Sequence, residues 1–254
     1  MPRANRYYAG GHVWHITRRC HQKHFLLKFA RDRRRWLDWL FEAKKRYGLS
    51  VLNYVVTSNH IHLLVFDNGK DEIPASLQLV AGRVAQEYNQ RKSRKGAFWE
   101  DRYHATAIDT DEYLVQCLLY IDMNMVRAGV VVHPADWQES GVAQLVSARQ
   151  RYQVHDYCRL LTLLGFETVD ELISARSSWI KTALESGSMQ REMRWTEGVA
   201  VGGQDFVRQV KEKLGPLRRN RKIVQGVSGF LLKEDEGEYS FRFSGQNGAF
   251  KALK

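Results

Sequence analysis

Residues 50–66, SVLNYVVTSNHIHLLVF, decide how the rest of the chain is read. Two runs rich in β-branched and aromatic residues, Ser50 to Thr57 and His60 to Phe66, stand either side of Ser58-Asn59. That spacing predicts an antiparallel hairpin, although Ser-Asn is weaker turn chemistry than Asn-Gly. Side chains alternate along a strand, so His60 and His62 point to one face and Ile61 and Leu63 to the other. Two imidazoles on one face can converge on a single metal ion; a His-x-His pair read by itself is equally a structural feature of a sheet.

Upstream of the hairpin, His12 to Cys20 alternates like a strand, with Val13, His15 and Thr17 set against Trp14 and Ile16. Residues 32–47 carry Leu37, Leu40 and Phe41 at helical spacing and stop at Gly48. Downstream, Pro74 heads a second helical pattern through Leu77, Val80, Val84 and Tyr88. It ends in the basic stretch Arg91 to Lys95, where the helix macrodipole favours cations. Tyr103 to Ile108 reads as a short strand, and Asp109-x-x-Glu112 as a capping box opening a third helix from about 110 to 128, ended by Gly129. The order β-α-β-β-α-β-α predicts an α+β fold with a ferredoxin-like core: one antiparallel sheet covered by the first two helices, and one added helix after the last strand.

After Trp137 the texture changes, and the expected boundary lies near residue 140, giving segments 1–140 and 141–254. The second is expected to be mostly helical. Thr168-x-x-Glu171 is a capping box for a helix with Leu172, Ile173, Trp179, Ile180 and Leu184 on one face. Phe206 to Leu214 is a short amphipathic helix, and Glu238 to Phe243 alternates like a lone strand or extended arm.

Of 254 residues, 44% are hydrophobic and only 4 are proline, which excludes collagen-like, mucin-like and wholly disordered chains. Cys20, Cys117 and Cys158 are too far apart for a C-x-x-C pair and odd in number, so a reducing compartment is expected. No apolar run is long enough to span a bilayer and the N-terminus lacks an apolar signal core, so the expected location is the cytoplasm, with no membrane partner. Lys and Arg number 39 against 28 Asp and Glu, a net charge of +11. The excess is clustered at Arg31, Arg33, Arg34 and Arg35, at Arg91, Lys92, Arg94 and Lys95, and at Arg218, Arg219, Arg221 and Lys222. Together these runs point to a polyanionic partner, with nucleic acid the usual one and association with the nucleoid the expectation.

The third helix carries the remaining signal. Tyr120 and Asn124 are four residues apart and share a face, which Gln116 and Arg127 extend. Leu114, Leu118, Ile121 and Met125 form an apolar face turned away from it. A phenol beside a carboxamide, facing a histidine pair, makes a coherent site: His60, His62 and Asn124 as metal ligands and Tyr120 as a nucleophile beside them. Tyr113 is the rival nucleophile, but it precedes Asn124 by eleven residues, about 16 Å along a helix, and reads as packing.

In these residues the chain resembles the single-tyrosine HUH transposases, and more closely their REP-associated tyrosine transposase branch. The resemblance rests on His60-Ile61-His62, on Phe98-Trp99-Glu100-Asp101-Arg102-Tyr103 and on Tyr120-Ile121-Asp122-Met123-Asn124-Met125-Val126-Arg127-Ala128-Gly129, and covers about residues 7 to 135. Thr57-Ser58 stands where such proteins often have Met-Pro, and Met125 where Pro often follows the asparagine. The resemblance implies metal-dependent cleavage and rejoining of single-stranded, hairpin-bearing DNA resembling palindromic repeats. Its intermediate would be a 5′-phosphotyrosine at Tyr120, with no need for ATP. Two imidazoles and an amide oxygen suit Mg²⁺ or Mn²⁺. The resemblance leaves monomer and homodimer both open for this chain.

Arg19, Arg102 and Arg127 are candidate phosphate contacts, with ordinary surface charge as the equal reading. Trp99 and Tyr103 are candidate stacking platforms for unpaired bases, with packing of the sheet edge as the equal reading. A non-catalytic nucleic-acid-binding regulator on the same scaffold, and a phosphodiesterase that uses water, are the alternatives to strand transfer.

Overall fold

The computed structural model describes residues 10–147, 152–187, 192–215, 221–226 and 228–234. Strand β1 (Val13–Arg19) leads to helix α1 (Ala30–Tyr47), then to the hairpin β2 (Ser50–Val56) and β3 (His60–Phe66), helix α2 (Glu72–Arg91) and strand β4 (His104–Ile108). The sheet order of these four is β2-β3-β1-β4, with every neighbouring pair antiparallel. That is the expected ferredoxin-like unit. Gly48 ends α1 at φ 70°, a left-handed conformation that glycine reaches without a Cβ penalty.

The hairpin turn works without Asn-Gly because Thr57 builds it. Its hydroxyl accepts from the backbone N–H of His60 at 3.1 Å and of Asn59 at 3.3 Å, and donates to the His60 carbonyl at 2.8 Å. In β2 a bulge between Val51 and Asn53 interrupts the ladder. An extra residue in one strand brings successive side chains out of strict alternation. Leu52 thereby joins the apolar cluster around the third helix, and Asn53 bonds to that helix as well.

The two faces of the sheet bury different partners. Trp14, Ile16, Ile61, Leu63 and Val65 pack with Trp36 and Leu40 of α1 and Val80 and Val84 of α2. Val13 and Leu64 pack on the opposite side with Leu114, Leu118 and Ile121. Each such side chain, fully buried, contributes about 1.5–3 kcal/mol, so both faces hold the sheet in place.

The third helix departs from expectation at both ends. It divides into α3 (Glu112–Asp122) and a short α4 (Asn124–Arg127), with the break at Met123. Nor does Asp109 cap it. Its carboxylate accepts instead from the backbone N–H of Gly203 at 2.9 Å, and Asp111 precedes the helix with φ 60° and no capping hydrogen bond from its side chain. A partner 94 residues away has taken the oxygen that local spacing assigned to the helix start.

Beyond residue 140 come α5 (Gly141–Val146), α6 (Tyr157–Leu164), α7 (Val169–Ser186) and α8 (Arg194–Glu197), then strand β5 (Ala200–Gly202), α9 (Gln204–Lys213) and the hairpin β6 (Arg221–Gln225) and β7 (Phe230–Glu234). Helices predominate, and both halves of the Thr168–Glu171 capping box are present. Three strands that periodicity did not reveal extend the same sheet in the order β4-β5-β7-β6, with β5 parallel to β4. The sheet therefore runs across residue 140. Glu238 to Phe243, Arg218 and Arg219 lie outside the described residues.

Candidate active site

Strand alternation turns His60 and His62 to the α3 side of the sheet, and the two rings meet edge to face with centroids 5.1 Å apart. From α3, Tyr120 comes down on them, its ring 5.7 Å from that of His62. Just past the helix break, the Asn124 amide nitrogen donates to His62 Nε2 at 3.1 Å. The four residues singled out from spacing thus adjoin.

The hydrogen bonds behind the rings decide which nitrogens face the site. His60 Nδ1 donates to Asn59 Oδ1 at 2.7 Å, which leaves Nε2 with its lone pair. His62 Nδ1 lies 2.9 Å from Nε2 of His15, a third histidine that no spacing argument singled out. Burial drives the His15 pKa down to about 3, so that ring is neutral. Two imidazole nitrogens with lone pairs beside a carboxamide form a donor set that fits a divalent cation completed by water or phosphate. Among the described residues no group of three or more His, Cys, Asp or Glu has metal-site geometry, so the amide of Asn124 is the donor at hand for a third position.

Arg127 belongs to the site through Tyr120. Its guanidinium lies 4.2 Å from the ring centroid and its Nη2 donates to the Tyr120 carbonyl at 2.6 Å. Burial lowers its pKa from the ordinary arginine value, while Tyr120 and Glu192 push it back up. On the other side, Tyr120 meets Trp195 of α8, with ring centroids 6.0 Å apart. Gln116, on the same stripe, is held away from the histidines by Arg194 at 3.2 Å and Ser228 at 3.4 Å. Tyr113 packs against the turn at Gly229, where any Cβ would strike its ring, so packing is its role.

A cleft of about 410 Å³ opens beside His60 and His62, lined by Arg18, Arg19, Arg102 and His104 together with Glu100, Asp101 and Glu197. A larger one of about 950 Å³ runs along α2 past Trp99 and Tyr103 and shares Arg18 and Arg102 with the first. Arg19 and Arg102 therefore line the cleft at the histidines, whereas Tyr103 lines the larger one along α2. Trp99 is mostly packing: it is 8% exposed, its Nε1 donates to the Ala81 carbonyl, and Arg18 covers its ring at 5.0 Å.

The basic runs are less available than their charge suggested. Arg33 is buried against Glu139 at 2.8 Å and lies over the Trp137 ring. Arg35 forks onto Glu87 at 2.6 and 2.8 Å, Arg91 pairs with Asp32, and Arg94 folds back onto Asn89 and the Ala97 carbonyl. Lys92 lies over the Phe29 ring, and Arg221 pairs with Glu234 in the terminal hairpin, where Lys222 is exposed. The acidic partners of these arginines sit far off in sequence, so a charge run alone concealed them.

Comparison with known proteins agrees with the motifs. Residues 9–124 match the family model described as transposase IS200 like, a span that contains His60, His62 and Tyr120 and ends on Asn124. Among solved structures, a REP-associated tyrosine transposase bound to a REP hairpin is 22% identical, covering 61% of this chain and 90% of its own, with a TM-score of 0.48. A protein of Deinococcus radiodurans R1 described as a transposase is 19% identical over 47% of this chain and 95% of its own, with a TM-score of 0.34. No curated protein matches the chain. Among the described residues no helix is long and apolar enough to cross a membrane. The segment that carries the histidine pair, the tyrosine and the asparagine is thus the part of the chain that is similar to the IS200-like transposases.

Proposed function

We propose that the chain is a metal-dependent single-stranded DNA endonuclease and strand transferase that works through a 5′-phosphotyrosine at Tyr120. The observation that carries this reading is the meeting of Tyr120 and Asn124 at His62, inside the segment that matches the transposase family. The preference for hairpin-bearing DNA follows from the motif resemblance.

In this mechanism a scissile phosphate enters past Arg19 and Arg102, whose guanidinium groups hold its neighbours along the backbone. Tyr120 Oη attacks phosphorus, forming the O–P bond as the P–O3′ bond breaks. The phenol proton leaves Tyr120 and the departing O3′ takes up a proton, giving a free 3′-hydroxyl and DNA joined to Tyr120 through its 5′-phosphate. Attack of a 3′-hydroxyl on the phosphotyrosine reverses these bonds and joins strands without ATP. A free phenol ionises near pH 10, so Arg127 assists by placing a cation over the Tyr120 ring, where it favours phenolate over phenol. A bound Mg²⁺ or Mn²⁺, held by His60, His62 and Asn124, would supply Lewis-acid polarisation of a non-bridging phosphate oxygen.

The test is to incubate the protein with Mg²⁺ or Mn²⁺ and end-labelled single strands containing hairpins, and to look for a protein–DNA adduct that survives denaturation. The expected result is an adduct in the wild type that disappears in Tyr120→Phe. Cleavage without adduct would replace the proposal with hydrolysis by water, and binding with neither product would replace it with a regulator.

A further inference from the structure

His15 sits on β1 with no solvent exposure, and both of its ring nitrogens have partners. Nδ1 lies 2.9 Å from the backbone carbonyl of Trp195, on α8. A carbonyl oxygen only accepts, so the His15 proton is on Nδ1. Neither partner is a carboxylate, and a buried imidazolium without a counter-charge is costly, so the ring is neutral and Nε2 is an acceptor. His62 Nδ1, 2.9 Å away, must then be the donor, which leaves the His62 lone pair on Nε2, the atom that meets Asn124. The two ring planes are 12° from parallel with centroids 5.1 Å apart, the edge-to-edge arrangement that an in-plane N–H···N bond requires, so the contact holds ring orientation as well as tautomer.

We propose that His15 is a positioning residue that, anchored by the Trp195 carbonyl, holds His62 as the Nδ1–H tautomer with Nε2 turned to the active site. It rests on the reading of His62 as a metal ligand. The relay also assigns the C-terminal region a part in the site: a main-chain oxygen beyond residue 140 sets the protonation pattern of a histidine on the central hairpin, 133 residues earlier in the chain. Partners that orient a ligating histidine from behind typically change metal affinity by about 10–100-fold when removed. Thr106 holds the main chain just beyond it, its hydroxyl donating to the Gly198 carbonyl at 2.6 Å.

Two measurements on the full chain test this. The first is the long-range ¹H–¹⁵N correlation spectrum of the histidine rings in the metal-free protein, which reads the tautomer directly and needs no folded variant. Both His15 and His62 are expected as Nδ1–H; finding His62 protonated at Nε2 would overturn the proposal. The second is calorimetric titration with Mn²⁺. His15→Phe, which keeps the ring but loses both hydrogen-bonding atoms, is expected to bind Mn²⁺ about 10–100-fold more weakly, and His15→Gln, whose amide offers one donor and one acceptor, to recover most of the loss. Wild-type affinity in His15→Phe sinks the proposal provided that His62→Ala abolishes binding. If His62→Ala binds Mn²⁺ as the wild type does, the metal reading of the site fails, and the proposal with it.

Discussion

The guanidinium of Arg127 lies 4.2 Å from the ring centroid of Tyr120 while donating 2.6 Å to that residue's own carbonyl, so one cation holds both the ring and the backbone of the proposed nucleophile. A partly desolvated cation over an aromatic ring is worth about 1–2 kcal/mol. Arg127→Met is therefore expected to slow adduct formation by roughly tenfold, with the deficit shrinking as pH rises and hydroxide ionises the phenol. Single-turnover rates of adduct formation from about pH 8 to 10.5, across the ionisation of the phenol, check this. A deficit that does not change with pH would mean that Arg127 only shapes the backbone.

Removing divalent cations is expected to abolish adduct formation without unfolding the chain. His60 is already bonded to Asn59, and His62 to His15 and Asn124, so the side chains of the site have partners whether or not a cation is bound. Far-UV circular dichroism with and without EDTA should superimpose, while the adduct assay goes to background and returns on adding Mn²⁺.

Asp122 and Arg176 form a doubly bonded ion pair at 2.6 and 2.8 Å, each side chain only 1% exposed, and Asn53 adds a third bond to the carboxylate at 2.8 Å. This fastens α7 to the end of α3, directly before the break that positions Asn124. Asp122→Ala would leave a buried guanidinium without its counter-charge and is expected to cost about 3–5 kcal/mol. The double variant Asp122→Leu with Arg176→Met should be much closer to the wild type. Urea denaturation of the single and double variants separates the pair from mere packing.

Acid is expected to destabilise the fold below about pH 6.5. Burial holds the His15 pKa near 3 and the His155 pKa well below the ordinary 6.5, so both rings take up a proton only on unfolding. Their contribution is full above the unfolded value and is lost as pH falls towards the folded one, at about 1.4 kcal/mol per pH unit for each proton. His155 Nδ1 donates to Gln144 Oε1 at 2.7 Å, a bond that glutamine at 155 can replace in kind. Urea midpoints at pH 7, 6 and 5 should fall in the wild type, and His155→Gln should reduce the slope by one proton's worth.

The sequence by itself determined the parts of this protein that depend on near neighbours along the chain. Alternation placed His60 and His62 on one face of β3, helical spacing put Tyr120 and Asn124 on one stripe, and the order of strands and helices up to Ile108 predicted one antiparallel, ferredoxin-like sheet. These are consequences of backbone period, which one stretch of sequence is enough to set. What only the tertiary structure decided are the partnerships between distant residues: Trp195 with His15, Arg176 with Asp122, Gly203 with Asp109 and Glu139 with Arg33. Strands β5, β6 and β7, of three to five residues, carry too little periodicity to be read alone and are strands because β4 and one another complete their ladders. Buried polar groups must find partners wherever packing brings them, and packing obeys volume and hydrogen-bond satisfaction rather than separation in sequence. For that reason the histidine pair was legible from the start, and the third histidine behind it was not.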